Sequence, residues 1–302
     1  MPIHAMNPGV VVGVDGSSSS KRAVQWAAHE ASMRNLPLTL VHVVVTPSWG
    51  PAPWLLSNDP LPLPAEEDPA LEKSGRKIIA DASKIADDST HGDGRPEINS
   101  ELFFSVPVPT LVDLSKEAQM VVVGRRGQHR LRGVLLGSVS TGLIHHAHCP
   151  VAVIGDAAPI GPKNSRRPVV VGIDGSPASE LATAIAFDEA SWRRVDLVAL
   201  HAWSDPDLSK GLSMEWSAQQ SIAIKNLAER LAGWRERYPD VTVHPRVVWD
   251  NPASHLLDEA KSAELLVVGS HGRGGFAGML LGSVSTAVAH AARIPVIVAR
   301  QR

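Results

Sequence analysis

A single cysteine, Cys149, stands in 302 residues, so no disulfide can form within the chain. That excludes a disulfide-stapled secreted scaffold, and a reducing cytoplasm is the expected compartment. Long apolar runs are missing too: no stretch approaches the roughly 18 consecutive apolar residues that a membrane-spanning helix needs. The first residues, Met1 to Pro8, have no charged region followed by an apolar core, so no signal peptide is expected there. An excess of either charge is also absent. The formal net charge is −2, with 13 Lys and Arg against 16 Asp and Glu in residues 1–160 and 16 against 15 in residues 161–302. A protein that tracks nucleic-acid phosphates is usually basic, so nucleic acid is not an expected partner. Two widespread nucleotide signatures are lacking as well. Neither half contains Gly-x-x-x-x-Gly-Lys followed by Ser or Thr, which excludes a P-loop NTPase, and Gly-x-Gly-x-x-Gly does not follow the first strand, which argues against a dinucleotide Rossmann site.

What is present is a duplication. Apolar content of 44% and charged content of 20% suit a soluble globular protein, and the length allows two domains with a core each. Val-Gly-x-Asp-Gly-Ser occurs at Val12 to Ser17 and again at Val171 to Ser176. Later in each half comes Gly-x-x-Gly, nine residues, then Gly-Ser: Gly124, Gly127, Gly137 and Ser138, then Gly269, Gly272, Gly282 and Ser283. Gly13 and Gly172 stand 159 positions apart, as do His42 and His201, whereas Gly124 and Gly269 stand 145 apart, as do Pro107 and Pro252. The first copy is therefore 14 residues longer, and the proline-rich stretch Pro47 to Pro69 is the place for an irregular loop. A period this long means duplicated domains. The expected division is a first domain over 1–155, a linker over 156–167 and a second domain over 168–302.

Each half reads as five strands alternating with four helices. In the first, apolar strands are expected at Gly9 to Val14, Leu38 to Val45, Glu97 to Phe104, Met120 to Val123 and Val151 to Ile154. Helices fall between them, the first capped from Ser17 to Ser20, and the second half repeats the order from Val169 to Ala299. Strands without polar alternation, separated by helices, imply an α/β fold with a parallel sheet covered on both faces. Such sheets bind ligands beyond the carboxyl ends of their strands, where the order reverses. Both glycine turns sit at such ends, after strands one and four. If those strands are neighbours, both turns face one crevice, and the order is 3-2-1-4-5. The final strands, Val151 to Ile154 and Val296 to Ala299, would then lie at sheet edges that need covering.

The chemistry expected of the loops is anion binding. Ser138 and Ser140 stand at the start of a helix, as do Ser283 and Ser285, and a helix start offers unpaired backbone N–H groups and the positive end of a dipole. Glycines let a backbone approach phosphate oxygens closely. Arg125, Arg126, Arg130 and Arg132 add positive charge in the first copy, and His271 and Arg273 in the second. Tight turns alone would also use glycine, but two copies with identical spacing after matching strands favour binding. Asp15 and Asp174, at the end of strand one, suit a hydrogen bond to a ribose or an amino group, or a metal held through water; an Asx turn with the following Gly-Ser is the equal alternative.

Taken together, Gly-x-x-Gly, nine residues, Gly-Ser, the strand-one Asp and the strand-two Val-His-Val (Val41 to Val43) resemble the universal stress protein family in its tandem-domain, ATP-binding form. The resemblance spans nearly the whole chain. It implies two five-stranded 3-2-1-4-5 domains, each holding ATP, with Mg²⁺ as an accompanying ion near Asp15 and Asp174 and no metal held by protein alone. By position, Gly13, Val14 and Asp15, with Gly172, Ile173 and Asp174, would meet the ribose or base. Val43 and Ala202 would line the adenine slot, with Val123 and Val268 packed on the base. Gly124, Gly127, Gly137, Ser138, Val139 and Ser140 would hold ribose and phosphates, as would Gly269, Gly272, Gly282, Ser283, Val284 and Ser285. The second loop, Gly269-Ser270-His271-Gly272, keeps the family's usual Ser, followed by Arg273; the first has Arg125 in that place, a bulkier side chain that alters how its site closes. In the family the last strands mediate dimerisation, which implies pairing of the two halves within the chain and a homodimer as a further assembly.

Other features point elsewhere. His145, His146 and His148 beside Cys149 suggest a metal, but no equivalent set recurs at His290 to Ile294, and histidines suit a helix end. His42 and His201 read as hydrogen-bonded core residues, and Trp49 and Trp54 mark the proline-rich loop. The expected function is an ATP-binding regulator of stress response or growth arrest acting on an unidentified protein partner. The alternatives are a slow ATP hydrolase or adenylate-transferring enzyme of the same fold, and a chaperone-like protein with a structural nucleotide. No general base or paired carboxylates favour the enzyme.

Overall fold

The computed structural model describes residues 8–45, 68–90, 94–127, 136–156, 158, 166–203, 216–273 and 281–300. The proline-rich stretch with Trp49 and Trp54, Arg130, Arg132 and most of the expected linker lie outside them. The elements of the first half are β1 (Val10–Gly13), α1 (Ser18–Arg34), β2 (Leu38–Val45), α2 (Pro69–Ser89), β3 (Ile98–Ser105), α3 (Pro107–Leu114), β4 (Met120–Gly124), α4 (Ser138–His146) and β5 (Val151–Ile154). The second half repeats them as β6 (Val169–Gly172), α5 (Pro177–Arg193), β7 (Leu197–Trp203), α6 (Trp216–Arg237), β8 (Val243–Trp249), α7 (Pro252–Glu259), β9 (Leu265–Gly269), α8 (Ser283–Ala291) and β10 (Val296–Ala299).

The inner strands are short and almost wholly β-branched, and they are buried on both faces. Alternation then divides each strand between two cores. Val10 and Val12 pack with Ala27 and Ala31 of α1, whereas Val11 packs with Leu143 of α4 and Leu111 of α3. Helices α1, α2, α5 and α6 cover one face, and α3, α4, α7 and α8 the other.

The sheet is a single one of ten strands, ordered β3-β2-β1-β4-β5-β10-β9-β6-β7-β8. Each half has the 3-2-1-4-5 order, and neighbours run parallel within it. The two halves meet where β5 and β10 pair antiparallel, Ala152 opposite Ile297. What each half alone would leave as an apolar edge becomes the middle of the sheet. The outer edges are β3 and β8, where Glu101 and, in β8, Pro245 and Arg246 make poor templates for another strand.

Side chains of α1 and α5 add a second bond between the halves. Glu30 and Arg34 on α1 are the counterparts of Glu189 and Arg193 on α5. Arg34 reaches Glu30 (2.5 Å), Glu189 (2.7 Å) and Asp188 (2.8 Å), and Arg193 reaches Glu30 (2.6 Å) and Glu189 (2.9 Å). Both glutamates are fully buried. Burial, reinforced by the charge of Glu30, pushes Glu189 up to about 7. Burial acts against ionisation of Glu30 too, but Arg193 and Arg34 outweigh it and hold Glu30 below the usual carboxylate range. Two carboxyls share one compartment, and Glu189 is the one whose ionisation is opposed.

Candidate functional site

Strands β1 and β4 are adjacent, as are β6 and β9, so the two glycine turns of each half stand side by side. In the second half, Asp174 closes an Asx turn: its Oδ1 accepts from the Ser176 backbone N–H at 2.8 Å. Its Oδ2 accepts from the Arg273 N–H at 3.1 Å, and Ser176 Oγ donates to the His271 carbonyl at 3.1 Å. The turn after β6 thus ties down the loop after β9. Asp15 makes the same turn with Ser17 (2.9 Å), and Ser17 and Ser19 donate to the Arg126 carbonyl. His201, from β7, has its Nδ1 2.7 Å from the Ile173 carbonyl, and His42 stands likewise at the Val14 carbonyl. A carbonyl accepts only, so Nδ1 carries the proton in both rings. Burial pushes His201 below the usual histidine range, leaving its ring neutral.

These ties border a cavity of about 770 Å³ at the carboxyl end of the second half's sheet. Gly172, Ile173, Asp174, Ala202, Val268, Gly269, Gly272, Arg273, Gly282, Ser283, Val284 and Ser285 all line it. Ala202 and Val268 make an apolar wall with Leu200 and Leu256, and the amino end of α8 lines the cavity through Gly282, Ser283 and Val284. Gly282 caps that helix without a side-chain hydrogen bond, and Gly137 does the same for α4, whereas Ser17 and Ser176 cap α1 and α5 with their hydroxyls. The first turn of α8 therefore presents N–H groups to the cavity. Apolar walls and an anion-accepting helix start in one cavity suit a nucleotide. In the first half, Val43 and Val123 are buried in the same core as Val139, and exposed Ser138 opens α4 as Ser283 opens α8.

Several motif residues take roles other than the expected ones. A Cβ on Gly124 would lie 2.7 Å from the Ser19 backbone, and one on Gly269 2.8 Å from that of Ala178, so both are glycine because α1 and α5 start against them. Gly127 and Gly272 are not in left-handed backbone; a Cβ there would lie 2.6 Å from Oδ2 of Asp15 or Asp174. Buried Ser140 donates to the Arg125 carbonyl (3.0 Å), and Ser285 to that of Gly269 (2.5 Å), so these hydroxyls hold the loop. Ser270 is not among the lining residues, and its Oγ pairs with His271 Nδ1 (3.0 Å). Arg125 turns away from its own site and donates to the Ala292 carbonyl of the other half. The loop motifs gave no sign of Leu200, Trp203, Pro252 and Leu256, which line the cavity from β7 and α7. A proline at a helix start after strand three was the available signal for α7.

Comparison with known proteins agrees with this geometry. The universal stress protein family model matches residues 6–155 and again 165–300. The chain belongs to the universal stress protein family. It is 55% identical to universal stress protein Rv2005c and 53% identical to universal stress protein Rv2623 of Mycobacterium tuberculosis, each over 97% of this chain and 97% and 96% of theirs. The crystal structure of a universal stress protein from Archaeoglobus fulgidus shares the fold with a TM-score of 0.69 at 16% identity, over 99% of this chain and all of that one. As a tandem universal stress protein, the chain places two copies of the family's loop motif on one sheet. No described helix is long and apolar enough to cross a membrane.

Proposed function

We propose that each half, over 1–155 and 168–302 about a linker at 156–167, binds one ATP, and that the chain is a cytoplasmic, nucleotide-dependent regulator acting through a protein partner. The observation that carries this reading is the second-half cavity, which is lined both by the apolar side chains of Ala202 and Val268 and by Arg273 and the amino end of α8, whose cap makes no side-chain hydrogen bond. The base would lie against the apolar side chains, and the triphosphate would accept N–H groups of Ser283, Val284 and Ser285. Mg²⁺ would bring charge neutralisation to the phosphates, and Asp174 is held in place by the one backbone N–H that each of its carboxylate oxygens accepts.

Binding without turnover is favoured over hydrolysis. Among the described residues that line the cavity, Asp174 is the only carboxylate, and the His201 ring holds the Ile173 carbonyl. Quantifying nucleotide released from protein purified without added ligand, beside a turnover assay and an ATP-analogue titration, tests this. About two bound nucleotides per chain at saturation with negligible turnover is the expected result; sustained turnover would make the protein an enzyme, and no binding would refute the reading.

A further inference from the structure

The carboxyl ends of α4 and α8 point toward the junction between the halves, and an arginine from the opposite half meets each one. Arg125 follows β4 in the first half and donates through Nη2 to the carbonyl of Ala292, the residue that ends α8. Arg300 follows β10 in the second half and donates to the carbonyls of Ala147 (2.9 Å) and Ile144 (2.7 Å), at the end of α4. A cation at these carbonyls pairs with the negative end of the helix dipole.

The two arginines are not copies of each other. By the repeat, position 125 corresponds to Ser270, and Arg300 corresponds to Gly155. The backbone makes these positions neighbours, because Arg125 N–H donates to Ile154 (2.7 Å) and Ser270 N–H to Ala299 (3.1 Å). There is room for one large side chain in each pair. A Cβ on Gly155 would lie 3.3 Å from the Arg125 guanidinium, and where position 300 carries the arginine its neighbour is serine. Each half therefore supplies one crossing arginine, from a different strand end, with a small neighbour to make room for it.

We propose that Arg125 and Arg300 are positioning residues for the nucleotide sites of the opposite halves. The proposal rests on the reading that α4 and α8 hold phosphates at their amino ends. Helix α8 is only nine residues long, so a side chain fixing Ala292 also fixes the N–H groups of Ser283 to Ser285. Arg125 belongs to the first half's loop yet serves the second half's site, and Arg300 does the reverse. Ligand at the first loop and ligand at α8 thereby act on one connected structure.

Photolabelling with an azido-ATP, followed by peptide mapping, reads the occupancy of each half separately. In Arg125→Ser the second half's half-saturation is expected at a roughly threefold to tenfold higher concentration, the scale of a cation lost from a partly buried helix end. The double variant Arg125→Ser/Gly155→Arg, which copies the second half's arrangement, is expected to restore it. A second-half curve within twofold of the unaltered chain in folded Arg125→Ser overturns the proposal, as does a folded double variant that restores nothing. If Arg125→Ser does not fold, Arg300→Ser decides: a weakened first half supports the proposal, and an unchanged one overturns it. If the unaltered chain takes label in neither half, the nucleotide reading falls and the proposal falls with it; two labelled halves that ignore the arginines refute the proposal alone.

Discussion

Replacing Gly272 by alanine should weaken nucleotide binding in the second half by displacing Asp174, not by blocking the ligand. The added Cβ would stand 2.6 Å from Asp174 Oδ2, and its next neighbour is the Cγ of the same residue at 3.8 Å. Gly272 is not among the glycines in left-handed conformation, so the backbone itself accepts alanine. Ordinary contact needs roughly 3.5 Å, so the carboxylate has to move by nearly 1 Å. It is held at 2.8 Å by the Ser176 N–H and at 3.1 Å by the Arg273 N–H, and the longer bond breaks first. A charge-assisted bond at a half-exposed carboxylate contributes about 1–1.5 kcal/mol, which corresponds to a loss of affinity of roughly fivefold to tenfold as the loop loosens. Titration calorimetry on Gly272→Ala, Asp174→Ala and the double variant tests this as a cycle. With the carboxylate gone, the Cβ has nothing to strike, so Gly272→Ala should be nearly neutral in the Asp174→Ala background, giving a coupling of about 1 kcal/mol. Additive losses would mean that Gly272 acts on the ligand directly and that the tie to Asp174 is incidental.

Gly269→Ala should behave differently, because its Cβ meets the backbone of Ala178 and Ser179 at 2.8–2.9 Å, which has no rotamer to escape into; urea denaturation should show a stability loss of about 2–3 kcal/mol whether or not nucleotide is present. Glu189→Gln should flatten the pH dependence of stability. The folded-state value of Glu189, about 7, lies above its unfolded value of 4.5, so its contribution is complete below about pH 4.5 and is lost as pH rises toward 7. Thermal melts should show the unaltered chain losing up to about 3 kcal/mol relative to the glutamine variant between pH 4.5 and 7, and equal slopes for the two would place that titration elsewhere.

Much of this protein is written locally. Short apolar β-branched strands suit burial on both faces, and glycine, serine and proline mark the turns and helix starts, so the α/β class and the duplication follow from period and spacing, while the 3-2-1-4-5 order needed the further premise that both glycine turns face one crevice. Strand bounds such as Leu38–Val45 and Val151–Ile154 match those expected, because Pro37 and Pro150 mark where each run begins and Gly155 where the second ends. The loop residues around the cavity were legible because a loop fixed to a strand end has little freedom about where it points, whereas Leu200, Trp203, Pro252 and Leu256, which line it from β7 and α7, were not. What the residues in that loop do was not legible. A glycine reads the same whether ligand, carboxylate or neighbouring backbone excludes its Cβ, and only the packed chain separates Gly269 against Ala178 from Gly272 against Asp174.

The pairing of the last strands was expected from the family resemblance, but the side-chain bonds across the junction belong to tertiary structure. Glu30 and Arg34 stand four residues apart on α1, and it is α5 that brings Glu189 and Arg193 against them and removes the water. Arg125 reads as a phosphate ligand by its position in the loop, yet it points at Ala292, some 167 residues on. Local sequence fixes which strands and turns form, because the apolar pattern and backbone sterics act over a few residues. Where a long side chain ends, and whether its charge is paired, depends on surfaces that meet only once the two halves have closed one sheet between them.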